Sequence, residues 1–261
     1  MKASKIIMLL FLLVAARVGI NAQTTKSKTT NTITAKKPTI VFVHGLWADG
    51  SCWNNVIASL QSEGYEVVST QNPTTSLEDD VSATKKGLDR TQGPVILVGH
   101  SWGGFVITEA GNDPRVVGLV YVAALVPDAN ETPVNLLSKA APNDLDKFFQ
   151  VNNGFITLSK DGIKKAFAGD LTAKQQLQLY ATQTPAAQSV FGAKNTSPAW
   201  KEKPSWYIVA KNDKAINPDA ERIMAKRIKA TTIEVSSSHV VMLSKPNEVL
   251  KMIHVAASYK Y

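Results

Sequence analysis

Short, continuous runs of apolar residues alternate with stretches of helical periodicity along most of the chain. Four of the runs are rich in β-branched residues, which is typical of strands buried on both faces. These runs lie at residues 39–43, 95–98, 116–125 and 205–210. Weaker runs at 66–70 and 231–236 predict two further strands. Because helical patterns separate the strands, we expect an α/β fold with a mostly parallel central sheet of about six strands and helices on both faces.

The helices between these strands are marked by apolar spacing and by capping residues. Residues 52–63 carry apolar side chains at helical spacing and end before Gly64. Ser76 predicts the N-cap of a helix that extends to about Arg90, because the acidic residues at 78–80 complement the helix dipole. Further helices are expected at 219–230 and 247–258.

Two stretches depart from the alternation of strands and helices. Residues 23–37 are polar, rich in Thr and Lys and without periodicity, which predicts a flexible lead-in. Residues 128–198 are rich in Asn, Gln, Lys and Ala, with a helical pattern near 171–181 and no evident strand. We therefore expect a core formed by residues 38–127 and 199–261, interrupted by a helical cap at 128–198 that lies over the sheet.

The first 22 residues have the composition of a secretory signal peptide, with two early lysines, an apolar run at 6–16 and small residues near Ala22. The apolar run is too short for a comfortable bilayer span, and no later run is long enough to be one. Cys52 is the only cysteine, so no intramolecular disulfide can form. We expect an exported protein of the bacterial periplasm or exterior.

Composition excludes several other classes of function. The 261 residues, 44% of them hydrophobic, are enough for one large core. Three of the eight net positive charges lie in the first 22 residues, and no basic stripe interleaved with aromatics indicates nucleic-acid binding. No cysteine pair or His/carboxylate cluster has metal-ligand spacing, and no phosphate-binding glycine loop is present. We expect neither a metal nor a cofactor.

A serine between two glycines follows the second strong strand directly. In the stretch Gly99-His100-Ser101-Trp102-Gly103 the pattern is G-x-S-x-G, and a helix-compatible segment continues from it. Such a turn holds its serine strained at the top of the sheet, and the glycines let the neighbouring backbones come close. An ordinary tight turn is the alternative, but the strand–turn–helix context favours Ser101 as a nucleophile.

An activated serine needs a base, and the base needs an orienting acid, in the chain order serine, acid, histidine. His44 and His100 precede Ser101, and His254 lies in the closing helix. His239 follows the last strand at the carboxyl edge of the sheet, where ligand-handling groups collect. The chain order therefore predicts His239 as the base.

Asp213 follows the penultimate strand and is the predicted acid. Asp128 is the alternative, because its loop opens on the same edge of the sheet. Asp219 and Glu221 lie at the start of the next helix, where the helix dipole explains them. The oxyanion of acyl transfer needs backbone N–H donors, and Leu46 and Trp102 are placed to supply them. Trp47 is expected to line the substrate pocket.

These motifs together resemble those of the α/β-hydrolases, specifically the compact branch that contains plant methyl esterases and hydroxynitrile lyases. The resemblance extends from residue 38 to the end and rests on residues 42–45, 99–104, 206–213 and 238–244. It implies a triad of Ser101, Asp213 and His239 and an oxyanion hole at Leu46 and Trp102. It also implies that the cap shapes the pocket.

Hydroxynitrile lyases of this branch carry a lysine after the catalytic histidine and a threonine in the loop after the first strand. This chain has Val240 and His44-Gly45 at those places, which favours an esterase. The expected function is hydrolysis of a small carboxylic ester or lactone through an acyl-enzyme, with that small molecule as the partner. Two alternatives stay open: a cofactor-free perhydrolase or C–C or C–N hydrolase of the same fold, and a triad-bearing ligand-binding protein with negligible turnover.

Overall fold

A computed structural model describes residues 37–261, which form a central sheet, its helices and a smaller second sheet. The strands are β1 (Thr39–Val43), β2 (Val67–Ser69), β3 (Val95–His100), β4 (Val116–Val122), β5 (Phe149–Asn152), β6 (Phe155–Leu158), β7 (Ala186–Ala187), β8 (Ser205–Ala210) and β9 (Thr231–Val235). The helices of the described residues are α1 (Asn54–Ser62), α2 (Leu77–Leu88), α3 (Trp102–Ala110), α4 (Pro133–Leu137), α5 (Lys160–Gly162), α6 (Ala173–Thr182), α7 (Pro218–Arg227), α8 (Val241–Ser244) and α9 (Pro246–Ala257).

The central sheet has six strands in the order β2-β1-β3-β4-β8-β9, and each neighbouring pair is parallel. Its four middle strands are almost completely buried, as their continuous apolar runs predict. Helix α2 packs on α3, and α1 packs on α9. The predicted α/β fold with a parallel sheet of about six strands is confirmed.

The predicted helix boundaries agree with the structure to within a few residues. The Ser76 hydroxyl accepts a hydrogen bond from the backbone N–H of Asp79 at 3.0 Å, so Ser76 is the N-cap of α2 as expected. The helix predicted at 52–63 begins instead with a short 3₁₀ turn at Gly50–Trp53, and α1 follows it. The parallel arrangement places the carboxyl ends of β1, β3, β8 and β9 at one edge of the sheet.

The segment 128–198 contains the expected helices, but the expectation that it has no strand is wrong. Strands β5, β6 and β7 form a three-stranded antiparallel sheet there, beside α4, α5 and α6. Strand β5 shows no apolar alternation because most of its side chains are exposed, including Val151 at 58%. Asn153 and Gly154 both have positive φ and join β5 to β6 as a two-residue hairpin turn. An Asn-Gly pair is typical of such turns, so this pair in the sequence indicates the hairpin.

The expected signal peptide at 1–22, and the lead-in at 23–37 apart from its last residue, lie outside the described residues. Across residues 37–261, no helix combines the length and the apolar character that a membrane span requires.

Candidate active site

Ser101 occupies the sharp turn between β3 and α3. Its φ of 54° and ψ of −122° are unfavourable for a residue with a side chain. A Cβ at Gly99 would lie 2.6 Å from the carbonyl oxygen of Gly103, and a Cβ at Gly103 would lie 2.3 Å from the carbonyl oxygen of Val43. Both glycines are therefore required for the strand and the helix to approach each other this closely.

The backbone of Ser101 is held by the end of the neighbouring strand β4, by the loop that follows β4 and by the first turn of α3. The Ser101 N–H donates to the carbonyl of Val122 at 3.2 Å, and the Ser101 carbonyl accepts from Gly104 and Leu125 at 3.0 Å each. These bonds offset the cost of the unusual backbone angles. The surrounding sheet thus fixes the direction of the serine side chain.

His239 and Asp213 form a buried hydrogen-bonded pair at the same edge of the sheet. His239 lies between β9 and α8, Asp213 follows β8, and the His239 Nδ1 is 2.5 Å from the Asp213 Oδ2. The exposed fractions of the two residues are 1% and 4%. A carboxylate accepts, so Nδ1 carries the proton and Nε2 keeps its lone pair. The imidazole is therefore oriented as a base.

The other oxygen of Asp213 is fixed by two backbone donors. The N–H groups of Ala215 and Ile216 donate to Asp213 Oδ1 at 2.6 and 3.0 Å. The carboxylate thus accepts three hydrogen bonds and has little freedom to rotate. The structure places Asp213, and not Asp128, against His239: the Asp128 carboxylate pairs with Lys201 at 2.6 Å, with 36% of the Asp128 side chain exposed.

Ser101 and His239 line one cavity together with Leu46, Trp47 and Trp102, which are the other predicted site residues. Its volume is about 530 Å³, and most of its lining is apolar. Within residues 37–261, neither the Leu46 N–H nor the Trp102 N–H donates to a protein acceptor. Two free backbone donors beside a serine are the arrangement that an oxyanion requires.

The remaining histidines near the site are neutral and bind backbone groups. His44 Nε2 accepts from the N–H of Asn72 at 2.9 Å, and His100 Nε2 donates to the carbonyl of His239 at 3.0 Å. Burial lowers the pKa of both imidazoles. His254 lies elsewhere, 2.6 Å from the Glu63 carboxylate and partly exposed.

The buried carboxylate of Asp80, which the sequence analysis did not identify, holds the side chain of Trp102 by a hydrogen bond. The Trp102 indole donates to Asp80 Oδ2 at 2.6 Å, and the N–H of Thr74 donates to Asp80 Oδ1 at 2.8 Å. Burial raises the pKa of Asp80 to about 6 despite these two hydrogen bonds. The sequence gives only the acidic first turn of α2, which a helix dipole explains equally well.

The segment between β4 and β8 contributes contacts to the loop that carries His239. The Asp170 carboxylate accepts from both the N–H of Ser238, at 2.9 Å, and the Ser238 hydroxyl. The ring of Phe167 lies 5.1 Å from the imidazole of His239. The sequence could not predict these two contacts, because a single Asp and a single Phe in a polar stretch do not indicate which distant loop they touch.

Aromatic side chains form one wall of the cavity. The Trp47 ring centroid lies 5.3 Å from that of Phe149 and 6.5 Å from that of Phe191. The Trp47 indole N–H also donates to the carbonyl of Ile156 in β6 at 3.0 Å. Trp47 therefore joins the core loop after β1 to the small sheet and leaves an apolar surface toward the cavity.

The fold and the site geometry together define the class of protein. The sequence matches the model of the alpha/beta hydrolase family over residues 40–252, so the chain belongs to this family. The structure resembles that of polyneuridine aldehyde esterase with a TM-score of 0.73 and 18% identity, covering 85% of this chain and all of the other, which shows a shared fold.

Two relatives are similar to this chain in sequence over most of its length. The pyrethroid hydrolase of Sphingobium wenxiniae is 27% identical over 247 residues, which cover 82% of this chain and 85% of the relative. Methylesterase 2 of Arabidopsis thaliana is 24% identical over 243 residues, which cover 81% and 92%. The expected likeness to the branch with the plant methyl esterases is confirmed.

Proposed function

We propose that the protein is a serine hydrolase that cleaves small carboxylic esters through an acyl-enzyme on Ser101, without a cofactor. The observation that carries this proposal is the buried Asp213–His239 hydrogen bond, because His239 lines the same cavity as a strained serine and two free backbone donors. The names of the relatives, a pyrethroid hydrolase and a methylesterase, support ester hydrolysis.

In the first half of the reaction the Ser101 hydroxyl attacks the ester carbonyl carbon and its proton passes to His239 Nε2. Asp213 keeps the imidazole in the required tautomer and stabilises the imidazolium that forms. The developing oxyanion accepts hydrogen bonds from the N–H groups of Leu46 and Trp102. One such donor lowers the barrier by about 3 kcal/mol.

In the second half the tetrahedral intermediate breaks its bond to the alkoxy oxygen. His239 gives its proton to that oxygen, and the alcohol leaves. Water then attacks the acyl carbon on Ser101 while His239 takes a proton from the water. The second tetrahedral intermediate breaks its bond to the Ser101 oxygen, which receives that proton from His239 as the acid leaves. The products are one alcohol and one carboxylic acid, so the atoms of the ester and of one water are accounted for.

Replacing Ser101 by Ala removes the attacking atom and is expected to lower kcat for p-nitrophenyl acetate by at least about 10⁴-fold. The parent should also react covalently with a fluorophosphonate probe, as seen in the intact mass, and Ser101→Ala should not. The exposed Ser189→Ala is a suitable control, because its hydroxyl contacts only the carbonyl of Thr75. Undiminished hydrolysis by Ser101→Ala would contradict the proposal.

A further inference from the structure

Glu221 lies in the first turn of α7, yet its side chain is completely buried. Its Oε2 accepts from the N–H of Ala210, at the carboxyl end of β8, at 3.0 Å. A helix-dipole role would leave the carboxyl at the surface, as it does for Asp219. The Glu221 side chain instead extends beneath the loop that carries Asp213.

The second oxygen of Glu221 has no donor among residues 37–261. The first oxygen accepts from the N–H of Ala210, and the carbonyl of Ala210 accepts from the N–H of Asp213 at 3.1 Å, so the carboxyl groups of Glu221 and Asp213 are neighbours. Two carboxylates attract each other only when one carries a proton. Asp213 already accepts from three N–H groups, of Ala215, Ile216 and His239, whereas Glu221 accepts from one. The proton therefore belongs on Glu221.

No described positive charge neutralises Glu221 directly. Arg222, the next residue on α7, is partly exposed and pairs with Asp219 and Glu234. Tyr207 of β8 faces the same region, but its hydroxyl donates to the carbonyl of Ala124. Asp213 is the charged group that Glu221 faces, with His239 behind it. Burial, and then the negative charge of Asp213, raise the pKa of Glu221.

We infer that Glu221 is a neutral carboxylic acid that donates a hydrogen bond to Asp213 and thereby positions the Asp213–His239 pair. The effect on hydrolysis rests on the proposed function, whereas the protonation state of Glu221 does not. Because it acts through Asp213 and does not touch the cavity, Glu221 is a positioning residue. Its hydrogen bond stabilises the ionised Asp213 that accepts from the imidazole.

The first test compares the stability of the parent and of Glu221→Gln, which keeps an acceptor and a donor in the same shape. An unfolded glutamate loses its proton near its ordinary value of 4.5, but the folded state keeps the Glu221 proton to higher pH. The parent is therefore destabilised as pH rises above 4.5, and the Glu221→Gln variant is not. The ratio of the two unfolding constants should grow as pH rises above 4.5, by about tenfold per pH unit until the pH reaches the raised pKa of the folded state.

The control for this measurement is Glu234→Gln. Glu234 is an exposed acid whose pKa is lowered by Arg222, so its contribution to stability is gained as pH rises. The corresponding ratio should not grow with pH. Urea unfolding at each pH gives the constants. A pH-independent ratio for Glu221→Gln would overturn the inference.

A second measurement uses the parent alone and does not depend on a variant that folds. Infrared spectra at pH 6, where a glutamate with its ordinary pKa of 4.5 is ionised, should show a labelled carbonyl stretch of a protonated acid when spectra with and without ¹³C-labelled glutamate carboxyls are compared. Its absence would mean that Glu221 is ionised and would overturn the inference.

The activity test separates a positioning role from simple packing. Glu221→Gln should retain kcat for p-nitrophenyl acetate within about threefold, since the amide still donates to Asp213. Glu221→Leu, which fills the space without a donor, should lose about tenfold in kcat with KM little changed. Equal activity of the Leu and Gln variants would overturn the positioning role. Hydrolysis that survives Ser101→Ala would instead refute the proposed function and leave the protonation result standing.

Discussion

Hydrogen-bond partners give the four histidines of residues 37–261 different chemistry. His44 and His100 are buried against backbone groups that fix a neutral tautomer, and His254 pairs with an acid near the surface. His239 has a carboxylate on Nδ1 and lines the cavity. The sequence order of serine, acid and histidine selects the same residue, because the fold places only certain loops at the carboxyl edge.

Asp80 accepts a hydrogen bond from the Trp102 indole, next to Ser101, so its titration should change the near-ultraviolet signal of Trp102. Its pKa of about 6 lies above the ordinary 3.8, so the folded state holds a proton that the unfolded state has lost. Asp80 therefore lowers stability as pH rises from 3.8 to about 6. The near-ultraviolet circular dichroism of the parent should change with a midpoint near pH 6, and that of Asp80→Asn should not.

Asp79→Asn provides the matched control for this titration. Asp79 is exposed and bonds to Thr75 and Ser76, without contact to the indole. The variant should keep the transition near pH 6. A transition that persists in Asp80→Asn would assign it to another group.

The burial of the Glu221 side chain could not be predicted from the sequence. An acid in the first turn of a helix looks the same whether it faces solvent or the interior. Its burial depends on where α7 packs against the end of β8, which local sequence does not encode. Asp213, by contrast, follows a strand end directly, so the topology alone locates it.

At the scale of elements, the core strands and helices could be predicted because each buries a continuous or periodic apolar face. The hairpin β5–β6 could not be predicted from apolar alternation, since β5 is largely exposed. The Asn153-Gly154 turn was the informative feature, and its chemistry is more specific than the composition around it. Strand β7 has two residues and carries no pattern of its own.

The contact between Asp170 and Ser238 joins the segment after β6 to the loop after β9. Replacing Asp170 by Ala should free the loop and lower kcat by about tenfold, because small displacements of a catalytic group are costly. The urea midpoint should change little, since Asp170 is exposed. Steady-state kinetics with p-nitrophenyl acetate and urea unfolding measure the two effects.

Asp161→Ala is the control on the same segment. Asp161 pairs with Lys165 at 2.7 Å on the surface and does not contact the histidine loop. Its kcat should equal that of the parent. An unchanged kcat in Asp170→Ala would show that His239 is held without this contact.

At the scale of the whole molecule, the cavity is lined jointly by loops of the central sheet and by residues of the segment 128–198, the predicted cap. Leu46, Trp102 and His239 come from the core, and Phe149 and Phe191 come from the cap. Its size and shape could not be predicted from the sequence, because they depend on how the segment 128–198 packs against the core loops. The proposed catalytic residues lie at strand ends, which the sequence does indicate.

An apolar cavity of this size should favour esters with longer acyl chains. The kcat/KM for p-nitrophenyl esters is expected to rise from acetate to hexanoate by about two- to fourfold per methylene. Phe191→Ser should flatten this trend because Phe191 lines the cavity. Leu177→Ser, at an exposed position of α6, should leave it intact. A trend that falls with chain length in the parent would argue against an apolar acyl site.

The bond from His100 to the carbonyl of His239 joins residues 139 positions apart in the chain. Two of the three backbone hydrogen bonds that hold Ser101 in its unfavourable angles come from the end of the neighbouring parallel strand β4 and from the loop after it. Parallel, non-local pairing is a slow event in folding. A newly made chain can thus collapse with every helix formed and still lack the strained Ser101 turn. The arrangement of the proposed active site is accordingly among the last features that the folding chain acquires, and among the first that partial unfolding removes.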